Sequence, residues 1–264
     1  MHELPRWSRL QPCAGPADEV RAPGQSGGSL AAFRIEQTGH GIPFAERFGG
    51  WYVTGDPAIA KDLANVVGRY SNGAMQKQRI EPGTLFDFAR YPAATSDVLP
   101  QLLLEHQAGF VNRVVEASYR ARTNLHTSGG ALTPEHEREL DEQAKIVTRY
   151  VLFADEVPLP KGSIEGTAEY RKEFQNARHT KPGGEALREL DLRTRLLKLR
   201  CSYMIYSPVF QGLPAPMKQR IFRRLGEALD STKADAEYAY LPADEKRAIR
   251  AILKSTLADL PEGW

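Results

Sequence analysis

Apolar residues recur along the carboxy-terminal two-thirds of the chain with the period of a helix. Leu99, Leu103, His106, Phe110 and Val114 follow one another at intervals of three or four residues, which places them on a single helical face. Ser96 or Asp97 can cap this helix, and Pro100 falls in its first turn, where a missing N–H is tolerated. The helix is predicted to reach about Asn124 before Gly129-Gly130 stops it. Thr133-Pro134-Glu135 supplies a cap, a first-turn proline and a first-turn acid for a second helix, with Leu140, Ala144, Val147 and Val151 as its stripe. Residues 155–182 hold several prolines and glycines and read as a long connecting loop. A third helix is expected over Glu185 to Leu199. A fourth is expected from Pro214–Pro216, with Met217, Ile221, Leu225 and Leu229 on one face. A fifth is expected from Pro242, with Ile249, Ile252, Leu253 and Leu257 on one face.

The amino-terminal part has a different pattern. Ala32-Phe33-Arg34-Ile35-Glu36 alternates like a short strand, and Gly49-Gly50-Trp51-Tyr52-Val53-Thr54-Gly55 is a glycine-bounded aromatic and β-branched run, also strand-like. A short helix is expected near Ile59 to Val67. Residues 1–28 carry Pro5, Pro12, Pro16 and Pro23 and then Gly24, Gly27 and Gly28, with almost no apolar periodicity to offset the entropy of ordering. The expected organisation is a disordered or artefactual segment at 1–28, a small mixed α/β region at 29–95 and a helical domain at 96–264. The fold class is mainly α, a multi-helix carboxy-terminal region with a small β-containing amino-terminal part.

Composition adds mostly exclusions. Hydrophobic residues are 41% and charged residues 26% of the 264, which is ordinary for a globular chain with a substantial core. Lys and Arg number 35 against 33 Asp and Glu, so no long-range field attracts nucleic acid or an anionic membrane. No apolar run approaches the ~20 residues of a membrane span. Residues 1–7 lack the apolar stretch of a signal peptide, so the literal reading is a cytoplasmic chain. The two cysteines, Cys13 and Cys201, form no CxxC or CxxCH pattern.

The chain holds no complete catalytic motif. Gly24-Gln25-Ser26-Gly27-Gly28 matches GxSxG, but that motif works only as a sharp strand-to-helix turn and no strand precedes it. A flexible linker is the expected reading. Gly39-His40-Gly41 lacks the third glycine and the following helix of a dinucleotide fingerprint, and no GxxxxGK[ST] loop exists. No two of the six histidines have the HExxH spacing. His126, His136 and His179 read as surface residues. His106 differs, because it falls in an apolar stripe and needs a hydrogen-bond partner there. It is either a core histidine bonded to a carbonyl or carboxylate, or a metal or haem ligand or general base. Lys218, Arg220, Arg223 and Arg224 read as a solvated helix face, and Tyr203, Tyr206 and Phe210 with Pro208 as a core corner.

The segment His40-Gly-Ile-Pro-Phe-Ala-Glu-Arg-Phe-Gly-Gly-Trp-Tyr-Val-Thr-Gly55 resembles a stretch in a family of bacterial secreted proteins that carry a c-type haem attachment motif upstream. The similarity continues through Leu104-Glu-His-Gln107, Tyr150-Val-Leu-Phe-Ala-Asp-Glu156, Leu190-Asp-Leu-Arg193, Cys201-Ser-Tyr-Met-Ile-Tyr-Ser-Pro208 and the closing Leu-Pro-Glu-Gly-Trp264, over roughly residues 30–264. The resemblance implies a periplasmic or secreted, cytochrome-like protein in electron transfer or redox sensing, with haem as cofactor and a redox protein as partner. If haem binds, the resemblance points to His106 and then His40 as axial iron ligands. The chain departs from the family's pattern in three places. It has no CxxCH, and Asp62 and Val111 stand where the family tends to have histidines. Two expectations follow: a haem-free relative that keeps the helical scaffold, or a fragment whose residues 1–28 are an artefact. The alternative to a redox role is a non-catalytic helical scaffold or protein-interaction domain.

Overall fold

The helix expected from Asp97 is the spine of the fold. In the computed structural model, α1 spans Val98–Thr127, about 45 Å at 1.5 Å per residue. Asp97 caps it, one carboxylate oxygen accepting from Leu99 N at 3.0 Å while the other accepts from the backbone N–H and hydroxyl of Thr167. All five residues of the expected face are buried. The structure describes residues 38–54, 64–81, 83–84, 87–160, 164–177, 179, 184–233 and 235–264. Segment 1–28, the strand expected at Ala32–Glu36, Ser26, Asp62 and the beginning of the helix expected near Ile59 lie outside these residues.

Among the described residues the protein is mainly α-helical, with a single two-stranded sheet. Gly129 and Gly130, at φ 62° and 95°, turn the chain after α1. Thr133 then caps α2 (Pro134–Val151) by accepting from His136 N at 3.3 Å. Leu140, Ala144, Val147 and Val151 are buried as their spacing implies. α2 packs on α1 and also on α5 (Ala215–Ala228), which the short helix α4 (Pro208–Gln211) precedes. The basic side of α5 is less solvated than its charge suggests. Arg220 bonds Glu137 and Arg223 reaches Asp141 at 2.9 Å, both acids on α2, while Lys218 meets Asp259 at 2.8 Å. α6 (Ala243–Thr256) buries Ile249, Ile252 and Leu253 as expected. The chain closes with Trp264, whose indole N–H donates to Phe222 O at 2.5 Å.

Three expectations change. The loop expected at 155–182 contains a helix, α3 (Ala168–Asn176), of which Phe174 is the buried residue. The helix expected over Glu185–Leu199 does not form. Asp191 captures the backbone N–H of Arg193 at 3.2 Å and the Thr194 hydroxyl at 2.9 Å, Leu192 adopts φ 60°, and Leu190 pairs with Leu197 in an isolated bridge. A short polar side chain that takes local backbone donors competes directly with the helical ladder. The apolar residues are still buried, but in an irregular strap. Finally, Trp51–Val53 forms no strand and Thr54 makes only an isolated bridge to Asp97, while Val66 and Val67 belong to a strand rather than a helix. β1 (Val66–Ser71) and β2 (Ala74–Arg79) form an antiparallel hairpin through Asn72-Gly73, both at positive φ. Asn-Gly between two such runs was the available signal for it. The side chain of Asn65 accepts from Val53 N at 3.0 Å and donates to Val53 O at 2.7 Å, joining that segment to the base of the hairpin.

A buried histidine pair as the candidate functional site

His106 is fully buried on α1, and His40 meets it from the segment that crosses the helix. Their Nδ1 atoms lie 2.9 Å apart. His106 Nε2 lies 2.8 Å from Ser202 Oγ. Ser202 Oγ also accepts from Met204 N at 3.2 Å, leaving the hydroxyl proton free to point at His106. In that arrangement His106 donates from Nδ1 to His40, and His40 carries its proton on Nε2. The opposite tautomers reverse both bonds, bare His40 Nε2, and leave the Ser202 proton to find another acceptor. In either case His40 Nε2 is buried with no hydrogen-bond partner among the described residues.

Aromatic rings enclose the pair. Tyr150 lies 4.1 Å from His40 and Phe153 lies 4.4 Å from His40 and 4.7 Å from His106, all within about 21° of parallel. Tyr150 donates its hydroxyl proton to His106 O at 3.0 Å. Two glycines make room for it. A Cβ at Gly39 would sit 2.0 Å from the Tyr150 hydroxyl, and one at Gly109 would sit 2.2 Å from it and 2.8 Å from Gly39 Cα. This is the role of the Gly39-His40-Gly41 run: close approach of the backbone to a ring, with Gly39 at φ 97°. Gly109→Ala is therefore expected to cost about 1–3 kcal/mol by overpacking. A denaturation midpoint unchanged from the parent would show that the ring can move aside.

Charged groups surround these rings. The Arg47 guanidinium, 3% exposed, donates to Ile42 O and His40 O at 2.8 Å each and lies 3.7 Å from the Glu105 carboxylate. Arg113 covers the Tyr150 ring at 4.1 Å and donates to Gly109 O. Burial, then the Arg113 charge, holds the His106 imidazolium form down to a pKa of about 3. Burial, then His106, Arg113 and Arg47, lowers that of His40 well below its ordinary value. Both rings are thus neutral at pH 7, as a bond between two imidazoles requires of at least one of them. Glu156 accepts from Leu196 N at 2.9 Å, and burial pushes its carboxyl up to about 7 against the pull of Arg47, Arg195 and Arg200.

The structure brings together the two expected site residues, His106 and His40. Four of the segments that carry the resemblance converge here, contributing His40, His106, the Tyr150/Phe153/Glu156 group and Ser202. Val111 lies five residues beyond His106, about 140° around α1 at 100° per residue, and so away from the pair. Tyr150, Phe153, Ser202, Arg47 and Arg113 had no sequence signal of their own, since their significance depends on contacts across long separations.

The pair as it stands does not fit the two axial positions of one iron. Such ligands present nitrogens about 4 Å apart, two metal–nitrogen bonds of about 2 Å, with the porphyrin between them. Here the facing nitrogens are bonded to each other and the second nitrogen of His106 is bonded to Ser202. His40 Nε2 alone remains without a partner. Among the described residues no group of three or more His, Cys, Asp or Glu is placed to hold a metal ion, and no helix is long and apolar enough to cross a membrane.

Fold and site together define a mainly α-helical protein organised around a buried, neutral histidine pair. No protein-family model, curated protein or solved structure matches the chain.

Proposed function

We propose that this chain is a haem-free helical scaffold of cytochrome-like, redox-associated character, in which His40 and His106 clasp the amino-terminal crossing segment to α1. The observation that supports this most directly is the use of the ring nitrogens. Three of the four are spent on one another and on Ser202, inside a shell of aromatic side chains. A chain of this kind acts by presenting a rigid helical surface to a protein partner rather than by catalysis.

A second reading, haem or iron held by one histidine, is favoured by a single atom. His40 Nε2 is buried and unpartnered, and its Nδ1 is oriented by a hydrogen bond, as in imidazoles that ligate metals. Haemin titration of the purified chain separates the readings. The scaffold reading expects no saturable Soret shift. A saturable shift that His40→Ala abolishes would replace it with the single-ligand reading.

A further inference from the structure

The β1–β2 turn holds the chain's only Asn-Gly step. Asn72 and Gly73 are exposed and lie at φ 53° and 76°, as in a type I′ loop, between the paired residues Ser71 and Ala74. Among the described residues no hydrogen bond holds the Asn72 carboxamide or the Gly73 N–H. Beyond its chain neighbours, nothing lies within 4 Å of the place a Gly73 Cβ would take. An electrophilic carbonyl and the next backbone nitrogen are therefore both free and uncrowded.

The other asparagines are protected. Val66, Arg113, Leu125 and Ala177 follow them, and each puts a side chain beside the nitrogen that would attack. Asn65 is bonded to Val53 through both side-chain atoms, Asn112 to Thr38, and Asn124 to Glu139. Asn176 is exposed, but it ends α3, and the N–H of Ala177 donates to Glu173 O at 3.3 Å.

We propose that Asn72-Gly73 is a modification site, where the chain converts spontaneously to isoaspartate and the hairpin turn is undone. The Gly73 nitrogen, its proton lost to hydroxide, attacks Asn72 Cγ. The new C–N bond closes a succinimide ring, the Cγ–Nδ2 bond breaks, and ammonia leaves with a proton from water. Water then opens the ring. Cleavage between Gly73 N and Cγ gives aspartate. Cleavage between Gly73 N and the main-chain carbonyl carbon gives isoaspartate, with the chain now running through Cβ and Cγ. Nothing is oxidised or reduced, and the exchange of ammonia for water adds about 1 Da.

The turn slows the first step, because attack requires Asn72 to leave the geometry that pairs the strands. A two-stranded hairpin is marginal by itself, and Ala74 and Gln76–Arg79 are exposed, so opening of the tip supplies that freedom. Aspartate suits the two-residue loop as asparagine does, whereas isoaspartate lengthens its main chain and cannot close it. Ile80 N donates to Asn65 O at 2.7 Å at the hairpin's base, so the loss spreads from the tip and leaves the histidine pair intact. The proposal does not depend on whether haem binds His40.

The full chain, held for weeks at about 37 °C and about pH 8, should gain about 1 Da in the peptide that contains Asn72, about tenfold faster than in peptides holding the other asparagines. Isoaspartate methyltransferase with labelled S-adenosylmethionine should mark that peptide, and the rate should rise with pH as the amide nitrogen ionises. In the aged protein the amides of β1 and β2 near the turn should lose hydrogen-exchange protection. Asn72→Gly, whose Gly-Gly loop still suits the turn, should abolish the methylation. An Asn72 peptide of unchanged mass would overturn the proposal. So would gain at Asn176 as fast as at Asn72, methylation that survives Asn72→Gly, or unchanged exchange in the aged hairpin.

Discussion

Replacing His106 with alanine is expected to destabilise the protein by about 3–5 kcal/mol. The imidazole is fully buried, so its removal leaves a cavity that the surrounding rings of Tyr150, Phe153 and Tyr203 only partly fill. The same change strips His40 Nδ1 and the Ser202 hydroxyl of their shared partner, and each group left unpaired in the interior costs about 1–3 kcal/mol. For a chain of this length the loss corresponds to a fall in Tm on the order of 10 °C, read by thermal circular dichroism. His106→Gln, which keeps a donor and an acceptor, should lose less. A loss below about 1 kcal/mol for the alanine variant would mean that the clasp contributes little, and the scaffold reading would lose its support.

Acid should weaken the fold earlier than ordinary carboxylates would. His40 and His106 have lowered pKa values in the folded protein, against an ordinary value of 6.5. Their contribution to stability is fully present above about pH 6.5. It is lost as pH falls, because the unfolded chain then takes up protons that the folded pair refuses. For His106 the loss continues down to about pH 3. Each histidine contributes a slope of about 1.4 kcal/mol per pH unit. Glu156 acts in the opposite sense. Its folded pKa is raised from 4.5 to about 7, so its contribution is present at low pH and is lost as pH rises through that window. Between about pH 4.5 and 6.5 one histidine's slope is therefore cancelled, and stability should fall by about 1.4 kcal/mol per unit of acidification. Below about pH 4.5 Glu156 no longer opposes the histidines, His106 continues to contribute its slope down to about pH 3, and Asp97, Glu139 and Glu237, whose partners lower their pKa values, add to the loss. Urea midpoints across this range test the scheme. Glu156→Gln should steepen the upper slope to about 2.7 kcal/mol per unit. A midpoint that rises from about pH 6.5 to about 4.5 in the parent protein, the Glu156 slope acting alone, would show that the histidines titrate normally.

The two histidines were legible for different reasons. His106 was visible because a titratable side chain interrupted an otherwise apolar helical face, and periodicity alone exposes such an interruption. His40 was visible only through the resemblance, since Gly39-His40-Gly41 has no periodicity. Ser202 looked like an ordinary serine. It becomes a partner because the turn that it caps delivers it to α1 across 96 residues of chain, a relation that no local pattern encodes. A core histidine is expected to bond a backbone carbonyl or a carboxylate, whereas the partners of His106 are another imidazole and a hydroxyl.

The sequence by itself determined the helices whose apolar spacing and caps agree: α1 from Asp97, α2 from Thr133, and α5 and α6 from their prolines. Local propensity and burial ask for the same conformation there, so a one-dimensional pattern suffices. It misjudged Glu185–Leu199, where an apolar spacing suited to a helix is buried instead as an irregular strap held by Asp191 and Glu156. Only the tertiary structure decided that His40 and His106 face each other, that Gly39 and Gly109 admit Tyr150 between them, and that both imidazoles stay neutral. Those outcomes depend on close approach and desolvation between distant segments, which exist only after the chain has folded.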